Sequence, residues 1–188
     1  MRILILSTAL LLAGCGDAAD VLGNAEKKVG NETTQTEAEG AAVSSYGNGV
    51  VTIESPDDVA TTIERLEAAL EDAGFGIVAK LDHQKNAGKV DLDLPPAVVI
   101  SFGKPEAGTP LMQEAPEAAL DLPQRMAVFV KDGATVIAYN DPVWLASRHG
   151  IIGQKERLDA MSAALEGLAQ AAAGNTPSAA EAAINEVD

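Results

Sequence analysis

The chain has 188 residues, 47% of them hydrophobic and only 3% aromatic. Its 28 acidic residues against 13 basic ones give a formal net charge of −15, which argues against nucleic acid and anionic membrane surfaces as partners, since both repel a net anion. A single cysteine excludes an internal disulfide, and so few aromatics disfavour a base-stacking platform.

Residues 1–14 read as a processing signal. Arg2 supplies the positive start and Ile3 to Leu12 a short apolar core. That core is too short to span a bilayer. Leu12-Ala13-Gly14-Cys15 resembles the bacterial lipobox at every position. The resemblance implies cleavage before Cys15 and lipidation of its sulfur with acyl chains such as palmitate. The expected protein is thus a lipoprotein anchored in the membrane of a bacterial cell envelope, on the periplasmic or surface side. Gly16 after the cysteine favours the outer membrane if the cell is Gram-negative.

Residues 15–46 combine the lipidated Cys15 with a polar stretch almost free of large apolar side chains after Leu22. Such a stretch cannot repay ordering entropy and reads as a flexible tether. Its root-mean-square reach would be roughly 30 Å.

A globular domain is expected over residues 47–174. Val50-Val51-Thr52-Ile53 reads as a strand. Ser55-Pro56-Asp57-Asp58 reads as a helix start with Ser55 as cap. Val59, Ile63, Leu66, Leu70 and Ala73 form one apolar stripe, and Gly74 ends the helix. In the next strand Phe75, Ile77, Ala79 and Leu81 alternate with other residues, and parity places His83 on the same inward face. Gln84 to Pro96 reads as a connection, and Ala97 to Phe102 as a central strand, apolar on both faces.

Gly103 to Met112 follows, dense in Gly and Pro, and reads as an ordered loop. A short helix is expected within Leu111 to Leu120. Met126 to Val130 and Thr135 to Tyr139 form a hairpin about Asp132-Gly133. Asp141-Pro142 opens a helix that Gly150 closes, and a last helix runs from about Gly153 to Ala173. Residues 175–188 are an acidic tail. The fold class expected is α+β, a mixed sheet of about five strands with helices mainly on one face. The apolar strands leave little polar surface on either sheet face, so a homodimer is expected.

Several ordered motifs carry a family resemblance: Glu64-Arg65-Leu66, Gly74-Phe75, Asp82-His83, Leu94-Pro95-Pro96, Phe102-Gly103, Gly108-Thr109-Pro110-Leu111-Met112, Leu120-Asp121-Leu122-Pro123 and Asn140-Asp141-Pro142. From Val50 to His149 the chain resembles the family known as domain of unknown function 302. The resemblance implies a small α+β domain and no particular reaction. Asp91 departs from the pattern, which has glycine there.

The chemistry is sparse. No Gly-x-Ser-x-Gly elbow, cysteine pair or His-x-x-x-His spacing occurs. The reading reached is a domain that binds a small ligand, with His83, Gly108, Thr109 and Met112 around one pocket. Glycine and threonine offer backbone N–H groups and a hydroxyl without bulk, and methionine an apolar wall. His83 could instead act as the general acid or base of an enzyme, and a third alternative is an assembly module with no ligand. Haem or copper held by His83 and Met112 is a further option. His149 reads as a cap facing a helix dipole, and Asp121 as a turn anchor.

Overall fold

The computed structural model describes residues 47–175 together with two short strands, β1 (Gln35–Thr36) and β2 (Val43–Ser45). The segment read as a processing signal, Cys15 and the tail after Asn175 lie outside the described residues. From β3 onward the order is β3 (Val50–Ser55), α1 (Val59–Asp72), β4 (Gly76–Asp82), α2 (His83–Gly88), β5 (Ala97–Gly103) and α3 (Pro105–Glu114). A 3-10 turn (Pro116–Leu120) is followed by β6 (Gln124–Lys131), β7 (Ala134–Asn140), α4 (Pro142–His149) and α5 (Lys155–Ala172).

The strands form one sheet in the order β1-β2-β3-β7-β6-β5-β4. The α+β class and the five strands of the globular segment are as expected. The expected mixed sheet is corrected, because every pairing is antiparallel. The connections explain this. β4 and β5 are joined at the end where Asp82 faces Val98, and β5 and β6 at the end where Phe102 faces Gln124. A connection that leaves and returns at one end gives antiparallel neighbours. Among the described residues, only α1 carries the chain across the sheet, from β3 to the far edge strand β4. β1 and β2, from the stretch read as tether, extend the sheet beyond β3.

α1 and α5 lie on one sheet face. Val59, Ile63, Leu66 and Leu70 of α1 are buried, as their spacing predicts. They meet Leu165, Leu168, Ala169 and Ala172 of α5 over Ile53, Ile100, Phe102, Met126, Val128, Ile137 and Tyr139 of the sheet. Each large apolar side chain buried here contributes about 1.5–3 kcal/mol. A second cluster joins α3, the 3-10 turn, α4 and the start of α5 through Leu111, Ala115, Ala118, Ala146, Ile151 and Leu158.

Local signals hold at most boundaries. Asp141 caps α4 by accepting from the Val143 amide at 2.8 Å, with Pro142 in the first turn. Asp132 (φ 52°) and Gly133 (φ 84°) make the left-handed pair that the β6–β7 hairpin requires. Asp91, where the resemblance led glycine to be expected, takes a positive φ of 55°, a conformation glycine adopts at least cost. The cap of α1 differs from expectation. The ladder to β7 holds Ser55 extended opposite Thr135, which moves the helix start downstream. Asp58 caps instead, accepting from the Thr61 amide at 2.8 Å, and the buried Ser55 hydroxyl meets Thr62 Oγ1 at 2.7 Å.

Candidate functional site

The stretch read as an ordered loop is mostly helix. Lys104 is its N-cap and Pro105 sits in the first turn, where a missing N–H costs nothing. Pro110 lies inside α3. It has no N–H for the carbonyl four residues earlier, that of Glu106. The guanidinium of Arg157, on α5, donates to that carbonyl at 3.0 Å. A partner 51 residues away in sequence thus completes the helix, which no local pattern announces.

α3, the start of α5 and the Gly103/Gln124 end of the sheet line a cavity of about 680 Å³ that is open to solvent on one side. Phe75, Phe102, Met112, Leu122, Met161 and Leu165 give it apolar walls. Ala107 and Gly108 on α3 and Ala160 and Ala164 on α5 also line it, and side chains this small leave the space unfilled. The polar groups in the lining are few: Lys104, Thr109, Gln124 and Arg157. The volume is within the range of roughly 300–1,000 Å³ usual for small-molecule sites.

Of the expected site residues, Gly108, Thr109 and Met112 line this cavity, and His83 does not. The correction has two physical causes. First, β4 and β5 are antiparallel, so the end of β4 at Asp82 faces Val98 while Gly103 faces Gly76. The five residue steps between put His83 roughly 17 Å along the sheet from the start of α3. Second, the ladder shifts between Ile77 and Ala79. That bulge reverses parity: Lys80, not Leu81, lies on the α1 face, where it pairs with Glu67 at 2.9 Å. His83 is exposed and opens α2, and the Asp82 carboxylate serves Lys85, not the imidazole. The same separation rules out His83 and Met112 as ligands of one haem iron or copper, which needs both donors in direct contact.

Sequence reasoning missed Lys104, Gln124 and Arg157. The Lys104 ammonium sits 4.7 Å above the centre of the Phe75 ring, a cation–π contact. Phe75 meets Phe102 edge to face at 5.6 Å. Gln124 is 7% exposed, and its Nε2 has no hydrogen-bond partner among the described residues.

Two further polar anchors hold the helices around the cavity. His149 Nε2 lies 2.6 Å from Asp121 Oδ2, and Arg148 Nη1 lies 3.2 Å from the same oxygen. Both side chains of the His–Asp pair are at least nine-tenths buried. Asp121 and His149, read separately from the sequence, thus form one tie between the 3-10 turn and α4. Glu114, at the end of α3, accepts from the Ile152 and Gly153 amides and from Gln154 Nε2. These bonds, the Ile152 amide foremost, hold its carboxyl below the usual range. A group with a depressed folded pKa stabilises above its unfolded value and loses that contribution as pH falls through the folded one. Glu114→Gln should therefore unfold more easily than the parent at neutral pH, with the gap closing as pH drops below about 4. Urea midpoints across that range test this, and a gap that is constant with pH contradicts it.

A family model described as "Domain of unknown function DUF302" matches residues 51–170. The chain is 42% identical over 106 residues to "Fluoride-specific ion channel FluC 1" of Brucella suis biovar 1 (strain 1330), covering 55% of this chain and 41% of that protein. It matches "Fluoride-specific ion channel FluC 2" of Brucella melitensis biotype 1 at the same identity and length, covering 39% of that protein. The chain thus spans about two fifths of the length of the curated relatives it matches. Among solved structures it is similar to the "Crystal structure of uncharacterized conserved protein DUF302 from Bacillus stearothermophilus". The TM-score is 0.61 at 22% identity, covering 66% of this chain and 98% of that one. That likeness is one of fold.

Proposed function

The chain belongs to the DUF302 family, and from that premise we propose that it is a lipid-anchored extracytoplasmic domain that binds a small, largely apolar ligand between α3 and α5. The observation that carries the binding reading is the cavity of about 680 Å³ with apolar walls and only a few polar groups. The cleft is concave, mostly apolar and set with a few polar groups, the usual character of a small-molecule site. The enzyme alternative centred on His83 lacks this support, since His83 is exposed and does not line the cavity. The anchor rests on Leu12-Ala13-Gly14-Cys15. The channel names of the curated relatives describe those proteins. They offer a membrane setting for a domain of this kind, and no helix among this chain's described residues is long and apolar enough to cross a membrane.

A neutral fluorescent probe, N-phenyl-1-naphthylamine, tests the cavity. It should bind saturably at one site per chain. Ala164→Phe, which fills the space from α5, should weaken binding about tenfold or more, equal to about 1.4 kcal/mol. Ala160→Phe at the exposed edge provides a second block if the first variant melts early. Absence of saturable binding, or equal binding by both blocked variants, would end the reading. Separately, Cys15→Ser should release the domain from the membrane fraction or leave it unprocessed. A variant as membrane-bound as the parent contradicts the anchor.

A further inference from the structure

Two of the polar groups of the cavity, Lys104 and Arg157, are cations. Lys104 and Arg157 both line the space, and neither forms an ion pair with a carboxylate among the described residues. The chain has more than twice as many acids as bases, so two cations without acids are not what composition predicts. Lys104 rests on the Phe75 ring. Arg157 donates to two neutral oxygens, the Gln154 side chain at 3.2 Å and the Glu106 carbonyl at 3.0 Å. Both positive charges are left uncompensated.

We propose that the occupant is a long-chain carboxylate, its hydrocarbon along the Met112, Leu122 and Met161 walls and its head group neutralised by Lys104 and Arg157. Arginine offers a planar fork and lysine a mobile point charge, and charge-assisted bonds of both kinds are stronger than neutral ones. The negative field of the whole chain repels anions in general, so selectivity comes from the local cations. A ligand without the charge gains only the apolar contact.

This inference rests on the binding reading above, and the test separates the two. The probes are cis-parinaric acid and its methyl ester, which share a fluorescent chain and differ in charge. The parent protein should hold the acid at least tenfold more tightly than the ester. Lys104→Met, which keeps the stem over Phe75, should weaken the acid about fivefold or more and leave the ester within twofold. Equal affinity of the parent for acid and ester overturns the proposal while the apolar cavity stands, as does a Lys104→Met variant that still prefers the acid tenfold. Failure of both probes and of the neutral naphthylamine ends the binding reading itself.

Discussion

Phe102→Ala should lower the free energy of unfolding by about 3–5 kcal/mol. Phe102 has no exposed surface, sits in the core cluster beneath α1 and α5, and also lines the cavity. Its ring meets Phe75 edge to face with planes 86° apart, a contact worth about 0.5–1.5 kcal/mol beyond its area. The backbone at this point is held on both sides, by Ile77 of β4 and Gln124 of β6. The strand therefore cannot collapse into the void, and the full cavity cost remains. Total stability for a domain of this size is about 5–15 kcal/mol, so the variant should lose a third or more of its margin. Urea titration measures this. A loss below about 1.5 kcal/mol would mean that the core around Phe102 repacks freely and that the cavity wall is not rigid.

Gly49→Ala is expected to cost at least about 2 kcal/mol, from two sources. Gly49 has φ 79°, a conformation that costs an L-residue roughly 1–2 kcal/mol. A Cβ built there would also overlap Cγ and Cδ2 of the Trp144 ring, and overpacking typically costs about 1–3 kcal/mol. The position cannot easily shift, because the Gly49 carbonyl accepts from the Asp141 amide at 2.8 Å and ties the entry of β3 to the start of α4. The two sources can be separated. Adding Trp144→Ala should recover the overlap part and leave the backbone part. If the double variant is no more stable than expected from two independent changes, the overlap is not the cause.

How far the fold could be read from sequence depended on the range of the interaction. Asp141-Pro142, Gly150 and Asp132-Gly133 act within a turn, and their caps and left-handed residues fall where the residue types predict. The stripe from Val59 to Leu70 is a property of one helix. Ser55 shows the limit. Its residue type suits a cap, but its ladder with β7 fixes it as strand, and β7 lies 80 residues downstream. Pro110 shows it again. Two prolines and two glycines over Gly103 to Pro110 read as a fixed loop because the group that completes the helix, Arg157, is remote.

The candidate site was half legible for the same reason. Gly108, Thr109 and Met112 line the cavity because they share one short helix beside the end of a central strand. His83 could be drawn into the site only by assuming that neighbouring strands bring their ends to the same edge. Direction within a sheet is set by which end each connection leaves from, and parity by any extra residue in the ladder, here between Ile77 and Ala79. Neither leaves a mark in residue type.

The α+β class, the apolar faces of α1 and α5, the turns, the α4 cap and the net charge all follow from side-chain chemistry and spacing within a few residues. The antiparallel order, the pairing of Asp121 with His149, the completion of α3 by Arg157, and the meeting of Lys104, Gln124 and Arg157 around one cavity became visible in the folded chain alone. Each of these joins groups far apart in the chain. The free energy that brings them together comes from burying the two helices on the sheet, and short-range preference does not encode which distant partner that burial selects.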